Sequence, residues 1–295
     1  MAGNHRTCDE ALELGFAAPP AHPCRDLAVS TIDGWLDADA QAQGYARYFA
    51  SGSYEARYPR PNRLTLARTL RLLPAPRDEP IDILDYGCGQ GRYLVPLLRR
   101  RPDLRALAYD PCAQALATLD DRLGTLGLRG RVRLVSGDVD DVATAAARNG
   151  FELRLAVLLF GVLGHVQPPP ERTRVLRGLA ALLAPAGGRL ALSVPNERRR
   201  FRSRARAAGD ADIMYRRDLG DGSSVQLGYH LYRSGELLTE LQAAGFAPIR
   251  IATESVASES AVTTSAWLGR LDAAVATWCP ARWGYGLFAA AEVAR

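Results

Sequence analysis

The stretch Asp85-Tyr86-Gly87-Cys88-Gly89-Gln90-Gly91 carries the strongest chemical signal in the chain. Glycines at alternate positions permit positive φ, and without a Cβ they let a ligand approach backbone N–H groups closely. Apolar residues lead in (Ile83, Leu84) and out (Leu94, Val95, Leu97, Leu98), so the loop joins a buried strand to a helix. A tight turn with no ligand is the plain alternative. A dinucleotide fingerprint needs a glycine three residues after the second one, where Arg92 stands, which makes pyrophosphate the weaker option. Further along, Asp110 follows Ala108-Tyr109, and Asp138 follows Ser136-Gly137. Acids at strand ends cap the next helix or accept hydrogen bonds from hydroxyl and amino groups. His165, in Leu158-Leu159-Phe160-Gly161-Val162-Leu163-Gly164-His165-Val166, is the best candidate for moving a proton near neutral pH.

The loop resembles motif I of the class I S-adenosylmethionine-dependent methyltransferases, in which an acid leads the glycines. The resemblance runs from about Ile81 to Val293 and includes Leu183-Ala184-Pro185-Ala186-Gly187-Gly188-Arg189-Leu190, similar to the family's turn into its fifth strand. It implies that Asp85, Gly87, Cys88, Gly89 and Gly91 cradle S-adenosylmethionine. It further implies that Asp110 and Pro111 hold the ribose, Asp138 and Val139 the adenine, and that Phe160 lies by the transferred methyl group. His165 is then a general base or acceptor-positioning group, against the bland reading of a histidine bonded to a neighbouring loop. Cys88 reads as a small residue packed beside the ligand rather than a reactive thiol. The fourth strand departs from the family's Phe-Asp opening, with Phe151-Glu152 and then Arg154.

The acceptor side is less defined. Tyr45 and Tyr48 lie in an aromatic stretch with Tyr54 and Tyr58 whose helical spacing suits either a cap over the cofactor or a core-packing helix. All 37 cationic residues are Arg. Between Glu197 and Arg217 there are eight Arg and three acids, so the whole net charge of +5 sits in that segment. Arg forks suit carboxylates and phosphates, and Arg199, Arg200 and Tyr215 are candidate contacts for a polar or anionic small molecule; a solvated charged loop is the alternative. Tyr229 to Leu238 also resembles the tRNA wobble-uridine carboxymethyl methyltransferases, which keeps an RNA substrate as the second reading. A non-catalytic, methylase-like binding protein is the third. The chain lacks the Asn-Pro-Pro-Tyr sequence of many DNA amino-methylases, so DNA is not expected. His5, Cys8, His22 and Cys24 have the donor types of a zinc site, but their spacing and Pro-rich context argue against one, and no metal is expected.

The elements that must position these residues alternate. Strands are expected near 81–86, 104–109, 131–135, 153–160, 187–194, 246–252 and 285–293. Helices are expected near 91–101, 111–123, 139–148, 170–184 and 234–244. This alternation predicts an α/β, doubly wound, mostly parallel seven-stranded sheet. The resemblance adds a Rossmann-like order with an antiparallel last strand. Residues 1–30 read as a tail or loose cap, 31–75 as an N-terminal helical cap, and 76–295 as the methyltransferase domain, with 196–233 an acceptor-side insertion after the fifth strand. No apolar run is long enough to span a bilayer and no secretory signal is evident, so a cytoplasmic protein without membrane contact is expected. Five cysteines do not form a disulfide framework at this length. Oligomeric state is not legible.

Overall fold

The computed structural model describes residues 38–201 and 211–294. The 1–30 tail, the start of the 31–75 cap, the four residues of the zinc reading, and Arg202, Arg204 and Arg206 lie outside these. Among the described residues the chain opens with α1 (Ala38–Ala50), α2 (Ser53–Arg57) and α3 (Arg63–Leu72). The helical spacing of this region is interrupted where Gly52 takes φ +70° and where Pro59 and Pro61 follow α2. Asn62 restarts it, its Oδ1 accepting from Leu64 N (2.9 Å) and Thr65 N (3.2 Å).

The alternating unit follows as β1 (Ile81–Tyr86), α4 (Leu94–Arg100), β2 (Leu104–Tyr109), α5 (Ala113–Thr125), β3 (Val132–Val135), α6 (Val139–Arg148), β4 (Leu153–Leu158), α7 (Val162–His165), α8 (Pro169–Leu183) and β5 (Arg189–Pro195). After β5 come β6 (Asp212–Asp218), β7 (Ser224–His230), α9 (Ser234–Ala243), β8 (Phe246–Ser255), α10 (Glu259–Thr264), α11 (Ala266–Trp278) and β9 (Gly286–Val293). Seven strands form one sheet in the order β3-β2-β1-β4-β5-β9-β8, with β9 antiparallel to both neighbours. This is the doubly wound, Rossmann-like class I methyltransferase arrangement that the motifs implied.

Every residue of β1 is buried, as a parallel strand covered on both faces must be. Alternation then sorts its side chains. Leu84 and Tyr86 join the core under α6, α8 and α9, while Ile81 and Ile83 join the core under α3, α4 and α5. All seven strands were expected within three residues of their observed ends. β4 stops short because Phe160 (φ +71°) and Gly161 (φ +83°) leave the extended region. The 196–233 segment holds its own antiparallel pair, β6–β7, which packs a third core of Ile213, Tyr215, Val225, Leu227 and Tyr229 against Tyr48 of α1.

One buried charge cluster ties this pair to the domain. His230 Nδ1 lies 2.7 Å from Asp212 Oδ1 and its Nε2 2.7 Å from Glu236 Oε1. Burial opposes the charge, but the two carboxylates outweigh it and hold the imidazolium to about pH 9. A pKa raised in the folded state contributes stability below the ordinary value near 6.5 and loses it as pH rises through about 9. At about 1.4 kcal/mol per unit, His230 should stabilise by about 3 kcal/mol at pH 6. His230→Gln should therefore lower the melting temperature at pH 6 and have little effect at pH 10; an equal loss at both would refute the charged assignment. Among the described residues no helix is long and apolar enough to cross a membrane.

Candidate active site

The glycine turn sits at the carboxyl end of β1, where open α/β sheets bind ligands. Gly87, Gly89 and Gly91 have φ of +78°, +51° and +80°. At Gly87 a Cβ would lie 2.5 Å from Val162 Cγ1, so backbone conformation and space both demand glycine. Gly87 N and Cys88 N donate to Tyr109 O (2.8 and 2.9 Å), which fixes the turn to the end of β2. Asp110 receives Gly89 N on Oδ2 (2.7 Å) and Cys112 N on Oδ1 (2.9 Å). The acid after β2 is thus oriented by the loop with which it is expected to share a ligand.

Burial pushes Asp110 up to about pH 6 despite those N–H donors. Burial, with Asp110 nearby, pushes Asp85 up to about 7. Two carboxyls strained toward neutrality favour a cation or a donor-rich ligand between them. Cys88 has its thiol pushed well up by burial, so it is a packing residue and not a thiolate.

A cavity of about 680 Å³ opens beside this turn. Asp85, Gly87, Cys88, Gly89, Asp110, Pro111, Asp138, Val139, Phe160, His165 and Tyr45 all line it. Gly91 stands behind the lining, where a Cβ would lie 2.5 Å from Leu119 Cδ1. Asp138 caps α6, its Oδ1 accepting from Asp140 N (2.8 Å) and Asp141 N (3.1 Å), so it has the capping role as well as a place in the wall.

His165 is half-buried with both ring nitrogens engaged. Gly228 O of β7 can only accept, so Nδ1 (2.8 Å away) carries the hydrogen, and Nε2 keeps its lone pair for the Tyr45 hydroxyl at 2.6 Å. Gln41 braces the same carbonyl, donating through Nε2 (3.0 Å) while accepting Gly228 N on Oε1 (3.0 Å). The imidazole stacks on Tyr229 at 4.2 Å. Burial, assisted by the Arg200 and Arg217 charges, depresses it to about 3, so it is neutral at physiological pH.

The remaining expected substrate contacts are not part of the cavity wall. Tyr48 is buried in the β6–β7 core, as is Tyr215. Arg199 is exposed. Arg200 turns inward, its Nη1 donating to Tyr229 Oη (3.2 Å). Arg217 is also buried, with its guanidinium 4.7 Å from the Tyr215 ring centre. Arg200, Arg217 and Arg57 act on Tyr58, a wall residue. Burial raises that phenol, but the three cations outweigh it and bring it below its ordinary value.

Sequence reasoning missed Gln41, whose partner Gly228 is 187 residues away. It also missed Arg92, whose guanidinium lies 4.7 Å from the Tyr54 ring centre and 4.8 Å from that of Phe160, and donates to Tyr58 O. Its position directly after the glycine motif was the available signal.

The ribose contact expected of Asp110 can be tested directly. Asp110→Ala should weaken S-adenosylmethionine binding by about 1.5–3 kcal/mol, the loss of a charge-assisted anchor. Calorimetry that found unchanged affinity would remove this assignment.

A family model described as a methyltransferase domain matches residues 54–251, about two thirds of the chain. Among curated proteins, the ribosomal RNA small subunit methyltransferase G of Frankia casuarinae is 30% identical over 111 residues, 37% of this chain. That match spans 40% of the relative's length. The solved 1,6-didemethyltoxoflavin-N1-methyltransferase of Burkholderia thailandensis, with 1,6-didemethyltoxoflavin and S-adenosylhomocysteine bound, shares the fold at 22% identity. Its TM-score is 0.54, covering 95% of this chain and 100% of that one. The CcbJ methyltransferase of Streptomyces caelestis does so at 15% identity and a TM-score of 0.55, covering 80% and 91%. Because the family model takes in the glycine turn, both strand-end acids and His165 in one continuous match, the chain belongs to the methyltransferase domain family, and it is an S-adenosylmethionine-dependent enzyme of class I.

Proposed function

We propose that this enzyme methylates an oxygen or nitrogen of a small polar or anionic metabolite held between the glycine turn and α1. The observation that carries the reading is a single cavity, of about 680 Å³, reaching from Asp110 and Gly89 to the Tyr45–His165 pair. Its size is that of small-molecule sites, about 300–1,000 Å³.

The residues present fit S-adenosylmethionine. A Cβ at Gly87 would crowd the turn against Val162, and two buried acids stand ready for a ligand that donates hydrogen bonds. Gly87 to Gly89 would approach it through backbone, Asp110 would take its ribose hydroxyls, and Asp138 with Val139 would meet its adenine. When bound, it supplies a methyl group on a positively charged sulfur for in-line displacement. The chain's own residues supply alignment and a dry wall. His165 Nε2, neutral and oriented by Gly228, accepts from the Tyr45 hydroxyl and would likewise accept a hydrogen bond from an acceptor group, which makes it a positioning residue. Depressed to about 3, it is too weak a base to remove the proton.

Incubating the protein with isotopically labelled S-adenosylmethionine and the separated small-molecule and RNA fractions of its host tests this reading. Label in the small-molecule fraction is expected; label confined to RNA would overturn it. RNA is the second reading because of the ribosomal RNA methyltransferase relative. It requires steeply salt-dependent binding, lost when the exposed Arg198, Arg199 and Arg216 are neutralised. Arg200 and Arg217 are turned inward and would not serve it.

A further inference from the structure

Helix α11 is packed in reverse of the usual amphipathic rule. Its buried residues are Gly269, Asp272 and Ala276, while its large apolar residues face solvent. Trp267 is 68% exposed, Leu271 49%, Val275 49% and Trp278 88%, a stripe that runs the length of the helix. Trp283, on the following turn, is 55% exposed. The buried side is fixed for specific reasons. A Cβ at Gly269 would lie 2.7 Å from Val262 O, so the helix sits close on α10. Asp272 Oδ1 accepts from Val256 N (2.9 Å) and Ala257 N (2.8 Å), which pins α11 to the end of β8. The helix therefore cannot roll to hide its indoles.

Isolated exposed apolar residues need no explanation, but a contiguous patch of this size marks a contact surface. The spacing says what covers it. A two-fold axis between Asp272 and Ala273 would bring Trp267 to the partner's Trp278 and Leu271 to the partner's Ala274, each pair occurring twice. The large Leu271 then meets the small, exposed Ala274 near the centre of the face. A stripe that matches itself when reversed suits an antiparallel helix pair, the self-complementary contact that two-fold symmetry requires. Area agrees. At about 150–250 Å² for a whole aromatic side chain, the exposed parts of the three indoles offer about 300–500 Å². With Leu271, Ala274 and Val275 each copy approaches the half-share of the roughly 1,000 Å² at which interfaces become specific.

We propose that α11 is the contact face of a two-fold homodimer, packing antiparallel against α11 of a second copy of this chain. The acceptor cavity has its walls in α1 and the ends of β1, β2 and β4, so the contact leaves it open.

Sedimentation of the full chain over a concentration series tests this. At about 10 µM the wild-type protein should sediment at twice the 31.9 kDa chain mass. Leu271→Glu should shift the dissociation constant at least about 100-fold, since a buried unpaired charge would face each copy. Ala274→Trp, which costs an isolated chain nothing at an exposed position, should do the same by filling the space that receives Leu271. Leu126→Glu, at an exposed leucine on another surface, should leave the dimer intact. Unchanged S-adenosylmethionine affinity in each variant verifies the fold. A monomeric wild type would overturn the proposal, whether the stripe is covered by the chain's own first residues or by another protein. So would a dimer that survives both α11 substitutions.

Discussion

His165→Phe should lower the rate of methyl transfer by about 10–100-fold, through lost alignment of the acceptor, while leaving S-adenosylmethionine affinity within about twofold. The ring replaces a ring, so the stack on Tyr229 survives and Gln41 still holds Gly228 O. What disappears is the lone pair that meets the Tyr45 hydroxyl at 2.6 Å, together with the Nδ1 hydrogen bond to Gly228 O. Tyr45→Phe removes the other half of the first contact and should fall in the same range if acceptor alignment passes through both groups. Combining the two should then cost little more than either alone, since residues acting as a unit are not additive. The pH profile adds a separate check. With His165 neutral down to about pH 3, activity should show no protonation step near 6.5 from this residue. Single-turnover rates with labelled donor would read all of this. If His165→Phe stays within about threefold of wild type, the histidine does not align the acceptor and is a packing residue.

Gly87→Val should have the largest effect on donor binding, and it should damage stability as well. A side chain at φ +78° costs about 1–2 kcal/mol from the left-handed backbone alone. Its Cβ would also lie 2.5 and 2.7 Å from the two methyls of Val162, adding about 1–3 kcal/mol of overpacking. Together these should lower the melting temperature by about 5–15 °C. The displaced Val162 opens the helix that carries His165, so activity should fall with binding. Gly127→Ala is the reference, because Gly127 has φ +68° but nothing within 4 Å of a Cβ. It isolates the backbone share. If Gly87→Val proves as mild as Gly127→Ala, the turn yields freely and is not the rigid cradle described above.

The parts of the fold legible in the sequence were those set by short-range pattern. Ile81–Tyr86 reads as a buried strand because its period and length leave little else, and the glycines after it announce a turn by their spacing. The strand-end acids Asp110 and Asp138 could be placed because each follows its strand directly. What could not be read depends on contacts between distant segments. Nothing local to His165 says that its partners are Tyr45, 120 residues earlier, and Gly228, 63 residues later. The arginines of 198–217 read as a solvated or substrate-gripping run, because charge is visible in sequence and burial is not. In the fold Arg200 lies against Tyr229 and Tyr285, and Arg217 is buried. The place of the segment between β8 and β9 could not be read for a related reason. In α11 the apolar stripe at 267, 271, 275 and 278 has helical spacing, but contacts of Gly269 and Asp272 with other segments turn it outward, and those contacts are not local.

The family match begins at residue 54, yet the helix that supplies Tyr45 and Gln41 ends at Ala50. The glycine turn and the strand-end acids thus fall inside the family match, whereas Tyr45 and Gln41, on the opposite wall of the cavity, fall outside it. The division falls at Gly52, although Tyr48 and Gln41 tie the preceding helix to β7, so a replacement helix would have to keep those two contacts. A chimera carrying a foreign helix ahead of that glycine should retain its donor while changing which molecule it modifies, and diversification within lineages of this kind would be sought first in those opening turns.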